Sequence, residues 1–199
     1  PISCNGSDDG TITLHGSGGT QPYQYSVDNQ ASWSSDSLFT GLAAGSYEVF
    51  IRDSNLCITY GGTVTLDEPP PLSLAIAITD VSTCSYDSTG IIVATGAGGT
   101  GALFYSLDGS TFQDSGTFAD LPAGAYTVLL RDETGCFTSM DDTIRPPEPV
   151  FAVITKTDAI SEALGSITIS VASGGTPPYE YTINGPAGPF SPDTAYTSL

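Results

Sequence analysis

The sequence predicts an all-β fold made of tandem β-sandwich repeats, and three observations support this prediction. Residues that favour helices are scarce: the chain has 4 Lys and Arg together and 1 Met, against 23 Gly and 14 Pro. Apolar residues alternate with polar ones over several short segments, as in strands that bury one face. The same sequence elements also return about every 80 residues, a spacing suited to a small independent domain.

Three copies of one pattern run along the chain. The stretch "SGGTQPYQYSVD" at 17–28 returns as "AGGTGALFYSLD" at 97–108 and as "SGGTPPYEYTIN" at 173–184. Pro-rich segments such as "LDEPPPL" and "RPPEP" follow the first two copies, and they predict short, stiff connectors between modules.

These copies predict three repeats with defined bounds. Repeat 1 covers 1–71 and lacks its leading strand, repeat 2 covers 72–149 and is complete, and repeat 3 covers 150–199 and ends before its last two strands. A sandwich without a central strand leaves open sheet edges. We therefore expect the sequence to be an excerpt of a longer array, or a strand from elsewhere to complete repeat 3.

Within each repeat, apolar residues recur at every second position. Tyr23, Tyr25 and Val27 follow the first "GGT", and the same face is apolar in the other copies at Leu103, Tyr105, Leu107, Tyr179, Tyr181 and Ile183. Such alternation buries one face of a strand against a second sheet. Gly, Pro, Asp and Ser turns between the strands predict a β-sandwich, and the "GGT" glycines predict a tight turn or bulge with positive φ.

The pattern L-x-x-G-x-Y occurs twice and resembles the tyrosine corner of immunoglobulin-like and fibronectin-like sandwiches. Its residues are Leu42, Gly45, Tyr47, Leu121, Gly124 and Tyr126. In a tyrosine corner, a tyrosine at the start of the penultimate strand hydrogen-bonds back to the corner backbone, and glycine is expected to allow a tight crossing. We predict an elongated array of such sandwiches, with an unrelated β-barrel as the alternative.

Four cysteines occupy matching places in the first two repeats. Cys4 and Cys57 bracket the stretch of repeat 1 that Cys84 and Cys136 bracket in repeat 2, whereas repeat 3 has Ala159 at the first place. This suggests the disulfides Cys4–Cys57 and Cys84–Cys136, which imply an oxidising compartment such as the periplasm or cell exterior. Buried free thiols are the alternative, and zinc is not expected because the chain has no C-x-x-C and 1 His.

The charge and the titratable residues argue against several functions. A formal net charge of −18 would repel nucleic acid and anionic lipid, and no apolar run is long enough for membrane insertion. His15 is the sole histidine and is interpreted as a solvated strand residue, so no catalytic triad is predicted. The acidic pairs Asp8/Asp9, Asp67/Glu68 and Asp141/Asp142 do not keep matching positions in all copies, which favours solvated charge over a glycosidase pair. We predict no catalytic residues and no set of metal ligands.

Two binding possibilities stay open. Acidic residues recur between the first two repeats as Asp53/Asp132, Asp28/Asp108 and Glu68/Glu148, and carboxylates near module junctions could bind Ca²⁺, although no EF-hand loop is present. No other cofactor is expected. Trp33 could stack on a sugar or serve as a packing residue, and a recognition face beside Tyr23, Trp33 and Phe104 is the alternative function.

The assembled elements resemble the SprB repeat family. Repeat 1 carries "CNGSDDGTITL", "GSGGTQPYQYSVD", "LAAGSYEVFIRDSNLC" and "LDEPPPL", and repeat 2 carries "CSYDSTGIIV", "GAGGTGALFYSLDG", "LPAGAYTVLLRDETGC" and "RPPEP". The resemblance implies repeats of a very large cell-surface adhesin of gliding bacteria of the Bacteroidetes type, exported by the type IX secretion system. Its expected partners are further repeats of the same polypeptide, the secretion and gliding machinery, and surface polysaccharide. Accessory modules of a secreted hydrolase are a third alternative.

The resemblance also implies possible O-glycosylation, because such bacteria attach O-glycans at Asp-Ser or Asp-Thr followed by a small apolar residue. The motifs "DSL", "DTI" and "DTA" place the candidates at Ser37, Thr143 and Thr194.

Overall fold

The computed structural model describes residues 1–82, 87–160, 164–175 and 177–197, and the regular elements of these residues are all β-strands. The strands are β1 (Gly10–Thr13), β2 (Gln24–Ser26), β3 (Leu38–Leu42), β4 (Gly45–Arg52), β5 (Ile58–Leu66), β6 (Ser73–Thr79), β7 (Gly90–Ala97), β8 (Leu103–Ser106), β9 (Thr117–Leu121), β10 (Gly124–Asp132), β11 (Phe137–Ile144), β12 (Phe151–Thr157), β13 (Ser166–Ser173) and β14 (Ala195–Thr197). In the described part of the chain, no helix has the length and apolarity needed to cross a membrane.

Repeat 1 forms a sandwich of two sheets, with the strand orders β1-β3 and β2-β4-β5. The strands pair antiparallel, with Tyr25 of β2 opposite Ile51 of β4. Side chains from both sheets meet in one core, whose buried members are Ile2, Ile12, Leu14, Tyr25, Val49 and Leu66. Tyr23 and Val27 pack against this core, so the apolar face predicted after "GGT" is confirmed.

Repeat 2 has the same arrangement with one more strand, in the orders β6-β7-β9 and β11-β10-β8. Leu130 of β10 lies opposite Tyr105 of β8, the same pairing as in repeat 1. The two sheets approach closely, because a Cβ added at Gly96 of β7 would lie 2.7 Å from Leu130 Cδ2. In repeat 3, β12, β13 and β14 form one sheet.

This strand order defines the sandwich class. In immunoglobulin lettering β6, β7 and β9 are strands A, B and E, and β8, β10 and β11 are strands C, F and G. Repeat 1 has strands B and E in one sheet and C, F and G in the other. The predicted immunoglobulin-like all-β class is confirmed, and the recurrence of the order is consistent with a tandem array.

The chain divides into two compact units whose bounds do not follow the sequence repeats. The first combines Pro1–Ala77, Ile92–Phe118 and Tyr126–Asp142, and the second combines Ile78–Ile91, Ala119–Ala125 and Thr143–Leu199. Residues 69–72 and 98–99 lie together in the first unit, and residues 148–150 and 174–175 lie together in the second. The repeat bounds 1–71, 72–149 and 150–199 stay a prediction.

The tyrosine corner of repeat 1 has the predicted hydrogen bond. Tyr47 Oη donates to the carbonyl oxygen of Ala43 at 2.9 Å, and Leu42 packs against the core. Gly45 has φ 155° and a Cβ there would meet nothing within 4 Å, so no tight crossing explains this glycine. Tyr126 stands at the matching place in β10.

Candidate functional site

The glycines of "GGT" in repeat 2 receive the Pro-rich linker that follows repeat 1. Gly99 N donates to the carbonyl oxygen of Pro70 at 2.9 Å. A Cβ added at Gly98 would lie 1.9 Å from the carbonyl oxygen of Pro71, a distance that no side chain could tolerate. Both glycines also have positive φ, 86° and 66°, as the sequence predicted. Glycine is therefore required here because the linker backbone lies directly on it.

The next junction repeats this geometry. Gly175 N donates to the carbonyl oxygen of Glu148 at 2.9 Å, and a Cβ at Gly174 would lie 2.0 Å from the carbonyl oxygen of Pro149. A Cβ at Gly175 would also meet the side chain of Val150, just as one at Gly99 would meet Leu72. The glycine pair, a carbonyl from the linker and the apolar residue after the prolines thus form one recurrent junction.

An aspartate holds the glycine turn of repeat 2 against the turn that follows β10. Asp132 Oδ2 accepts the N–H of Thr100 at 2.8 Å, and Asp132 Oδ1 accepts the N–H of Cys136 at 2.9 Å and the hydroxyl of Thr134 at 2.8 Å. Burial raises the pKa of Asp132, but these hydrogen bonds outweigh it, so that the pKa is lowered overall. The ionised carboxylate is a structural clamp behind the linker.

Repeat 1 contains the same clamp. Asp53 accepts the N–H of Cys57 at 2.9 Å and the N–H of Thr20 at 3.1 Å, and these bonds lower its pKa. Because the oxygens of Asp53 and Asp132 bind backbone amides, their recurrence has a structural explanation that does not need a metal. No cluster of three or more His, Cys, Asp and Glu able to hold a metal ion occurs among the residues that the structure describes.

The other recurrent aspartate closes the turn after β2 or β8. Ser26 and Ser106 are buried, and each hydroxyl donates to the aspartate two residues on, at 2.6 Å to Asp28 and 2.9 Å to Asp108. The hydroxyl of Ser26 is the main cause that lowers the pKa of Asp28 to about 2. The backbone N–H of Thr111 is the main cause of the lowered pKa of Asp108. Both carboxylates stabilise the turn only while ionised.

These lowered pKa values predict a loss of stability in acid. Each carboxylate binds protons more weakly in the folded state, so its stabilisation is complete above the unfolded pKa of about 4 and is lost as the pH falls through the folded value. We expect the melting temperature to fall between about pH 5 and pH 2, and to fall less steeply in Asp108→Asn than in the unchanged protein. Asp114→Asn, an exposed carboxylate outside this turn, is the control. If the melting temperature fell equally steeply with pH in the two variants, Asp108 would not be the group whose protonation destabilises the fold.

The described disulfide joins the two repeats rather than the two ends of one repeat. Cys4 is bonded to Cys136, with their Cα atoms 5.7 Å apart. The predicted Cys4–Cys57 bond is therefore wrong, and Cys57 is a free, exposed thiol. The predicted Cys84–Cys136 bond is also not formed, since Cys136 is bonded to Cys4, and Cys84 itself lies outside the described residues.

The length of β4 explains this correction. β4 begins opposite Leu66, at the end of the sandwich where Cys4 lies: just beyond Leu66, Glu68 accepts the N–H of Gly6 at 2.6 Å. β4 then runs 8 residues, about 25 Å, before the turn that contains Cys57. Two cysteines at opposite ends of a sandwich cannot bond, because a disulfide needs Cα atoms within about 7 Å.

A groove opens beside the disulfide. Its volume is about 400 Å³, and its lining includes Cys4, Cys136, the linker residues Pro69 to Leu72 and the exposed ring of Phe137. Asn5 Nδ2 donates to the carbonyl oxygen of Pro69 at 3.0 Å, so the loop of Cys4 also holds the linker. The linker after repeat 1 is therefore held from two sides, by the glycine pair and by the loop of Cys4, which the disulfide joins to Cys136.

An arginine stacked on an aromatic ring recurs in both repeats, and sequence reasoning missed it. Arg52 Cζ lies 4.3 Å from the centroid of the Trp33 ring, and Arg131 Cζ lies 4.1 Å from that of Phe112. Trp33 directly precedes Ser34, which forms a β-bridge with the buried Tyr25. Phe112 directly precedes Gln113, which forms the same bridge with Tyr105. The sequence signal for this contact was the arginine that recurs in "IRD" and "LRD". Since one face of Trp33 is occupied, the packing interpretation explains this residue better than a sugar platform does.

The remaining predicted residues are dispersed. His15 is exposed just beyond β1, Thr194 is exposed just before β14, Thr143 is exposed in β11, and Ser37 is half-buried before β3. The structure brings none of these four into the junction.

Members of the acidic pairs have structural contacts of their own. Asp9 Oδ1 accepts the N–H of Ser3 at 3.1 Å, and Asp141 Oδ1 accepts the hydroxyl of Thr127 at 2.6 Å. The prediction of purely solvated charge was incomplete, because these exposed carboxylates also fix loops and neighbouring strands.

The sandwiches and the linker contacts are those of the immunoglobulin-like β-sandwich class, and they are consistent with a modular repeat protein. The SprB repeat family model matches residues 1–32 and 164–188, so these two segments are similar to SprB repeats. This confirms the resemblance drawn from the sequence. SprB repeats are a non-catalytic type of module found in cell-surface proteins.

Other comparisons add little. No curated protein matches the chain. A structure of the three N-terminal domains of the bacteriophage RB49 Highly Immunogenic Outer Capsid protein (Hoc) is similar with a TM-score of 0.37 and 17% identity, over 84% of this chain and 68% of that one. The fold assignment rests on strand order and pairing instead.

Proposed function

We propose that the chain is a non-catalytic run of stalk repeats in a large bacterial cell-surface filament protein, a gliding-motility adhesin. The observation that carries this proposal is the junction of repeats 1 and 2, where a linker carbonyl lies on a glycine pair and Cys4 is bonded to Cys136. A connection fixed by hydrogen bonds, packing and a covalent bond suits modules that transmit force. The repeats would act as spacers, and their partners would be further repeats of the same polypeptide.

The charge and the disulfide support a place outside the cell. A net charge of −18 would keep neighbouring filaments apart, and it would not favour anionic lipid or nucleic acid. A disulfide persists in oxidising compartments. Attachment at the outer membrane, export by the type IX system and contact with the gliding machinery belong to the proposal through the family.

The proposal can be tested on cells that carry the parent protein. Antibodies against this chain should label intact cells outside the outer membrane, and in-frame deletion of 72–149 should reduce surface attachment and gliding. Replacing 72–149 by a second copy of another repeat should restore both, because a spacer depends on length and not on particular surface residues. Label that appears only after the cells are permeabilised would refute the surface location.

Glycan recognition and an accessory role beside a hydrolase are the alternatives. If the repeats bind glycans, purified chain should bind an array through the face of Tyr23, Trp33 and Phe104, and substituting Phe104 by Ala should remove that binding while attachment is lost on cells. The spacer role expects attachment to survive the substitution. Ca²⁺ binding and O-glycosylation at Ser37, Thr143 and Thr194 remain proposals: a melting temperature unchanged by a chelator, and an unmodified mass of the native protein, would remove them.

A further inference from the structure

Residues 4–7 form a turn that contains an Asn–Gly dipeptide. Ser7 N donates to the carbonyl oxygen of Cys4 at 3.0 Å, and Gly6 has φ 74°, whereas the φ of Asn5 is not positive. A positive φ at the third position alone is typical of a type II turn, in which the second residue has ψ of about +120°. Asn5 and Gly6 are both exposed, so water reaches them.

An Asn–Gly dipeptide readily loses the side-chain amide of its asparagine, because glycine has no side chain to hinder the attack. Gly6 N would attack Asn5 Cγ and lose its proton while Nδ2 leaves as ammonia. Water would then open the five-membered ring at either carbonyl, giving aspartate or isoaspartate. The ring requires a strongly negative ψ at Asn5, so the peptide unit between the two residues must first rotate by more than about 90° from its orientation in a type II turn.

Two residues of the linker segment hold this peptide unit and the asparagine. Glu68 Oε2 accepts the N–H of Gly6 at 2.6 Å, and the carbonyl oxygen of Pro69 accepts an N–H of Asn5 Nδ2 at 3.0 Å. The rotation would take the Gly6 N–H away from Glu68, so this hydrogen bond opposes ring closure. A carboxylate is far too weak a base to remove the proton of a backbone amide, and Glu68 therefore restrains the N–H without activating it.

We propose that Asn5 is a latent deamidation site, which Glu68 and Pro69 keep unreactive while the linker lies in place. When the linker leaves, the turn can rotate and the reaction proceeds. The carboxylate that forms has no N–H to donate to the carbonyl oxygen of Pro69, and isoaspartate also lengthens the backbone beside Cys4. Opening of the junction would therefore remove one of its contacts permanently. This inference concerns the chemistry of the linker and holds wherever the repeats are located.

The rate of deamidation at Asn5 tests the restraint, measured by mass spectrometry of peptides from the full chain after incubation at neutral pH. Asn5 should react at least about tenfold more slowly in the folded chain than in a synthetic peptide of residues 1–10 with its cysteine alkylated. Glu68→Ala should speed the reaction in the folded chain at least about threefold, the effect of one lost hydrogen bond. Glu68→Gln keeps an acceptor oxygen and should retain the slow rate. Asp67→Ala, which removes the neighbouring carboxylate, is the matched control and should leave the rate unchanged.

Two results for Glu68→Ala would overturn the restraint. A rate equal to that of the unchanged protein would mean that Glu68 does not hold the turn, and a slower rate would mean that Glu68 acts as a base. Hydrogen exchange of the β4 amides checks that repeat 1 is folded in each variant.

A variant that carries the product tests the permanent effect. Asn5→Asp should make the amide of Gly99, which donates to the linker carbonyl of Pro70, exchange at least about threefold faster, because the linker has lost one contact. Asn184→Asp changes the exposed asparagine of the other Asn–Gly dipeptide, in repeat 3, and should leave this exchange unchanged. If Asn5→Asp also left it unchanged, deamidation would not loosen the junction and the proposed effect would be wrong.

Discussion

Reducing the Cys4–Cys136 bond should lengthen the protein under force by about 45 nm. The bond closes a sequence separation of 132 residues, and an extended chain spans at most about 3.3–3.6 Å per residue. While the bond is intact, a pull on the two termini cannot extend any residue between the two cysteines, even after the sandwiches unfold. Single-molecule force spectroscopy before and after addition of a reductant measures this length directly.

Cysteine variants separate this arrangement from the one that the sequence suggested. Cys136→Ser should give the full extension without reductant, and Cys57→Ser should leave the extension unchanged. If the bonds were Cys4–Cys57 and Cys84–Cys136, reduction would release two segments of about 19 nm each, and Cys57→Ser would release one of them. Two short steps in place of one long step would disprove the bond between repeats.

Gly98→Ala should destabilise the junction by about 2–5 kcal/mol, which is the second large effect. An alanine in the left-handed region costs about 1–2 kcal/mol, and forcing a methyl group into an occupied space adds about 1–3 kcal/mol. The added methyl group would lie 1.9 Å from the carbonyl oxygen of Pro71. The linker must therefore move, which breaks the hydrogen bond that Gly99 N donates to the carbonyl oxygen of Pro70. Urea denaturation gives the free energy of unfolding, and exchange of the Gly99 amide reports the broken bond.

Two matched variants isolate the contribution of the linker. Gly18→Ala and Gly109→Ala have similar positive φ values, 75° and 72°, and their methyl groups would meet nothing within 4 Å. Both should cost only about 1–2 kcal/mol, the backbone penalty. If Gly98→Ala cost no more than these two, the linker would not be held on the glycine, and the junction would lose its central contact.

The fold could be predicted because its signals are local. Alternating residues such as Tyr23, Tyr25 and Val27 report which face of a strand is buried, and the tyrosine corner at Tyr47 reports a sandwich through one hydrogen bond within a few residues. Repetition strengthened these signals, since the same pattern returned in each copy. The role of "GGT" was predicted only in part. Its positive φ follows from glycine chemistry, but nothing nearby in sequence indicates that a linker lies on it.

The cysteine pairing shows the limit of sequence reasoning. Matching positions indicated that the four cysteines serve equivalent roles in two repeats, yet equivalence does not say which sulfur atoms meet. β4 carries the chain about 25 Å between the ends where Cys4 and Cys57 lie, so the partner of Cys4 had to come from another repeat. The recurrent arginine was visible in the sequence, but its aromatic partner was not, because Arg52 lies in β4 and Trp33 lies between β2 and β3.

The sequence by itself determined the strands, the repeat and the sandwich, because side-chain periodicity and turn residues act over a few positions. The tertiary structure alone decided how one repeat is joined to the next. That connection depends on which ends of two folded sandwiches come together, and the ends of a sandwich are brought into place by strands that are distant in sequence.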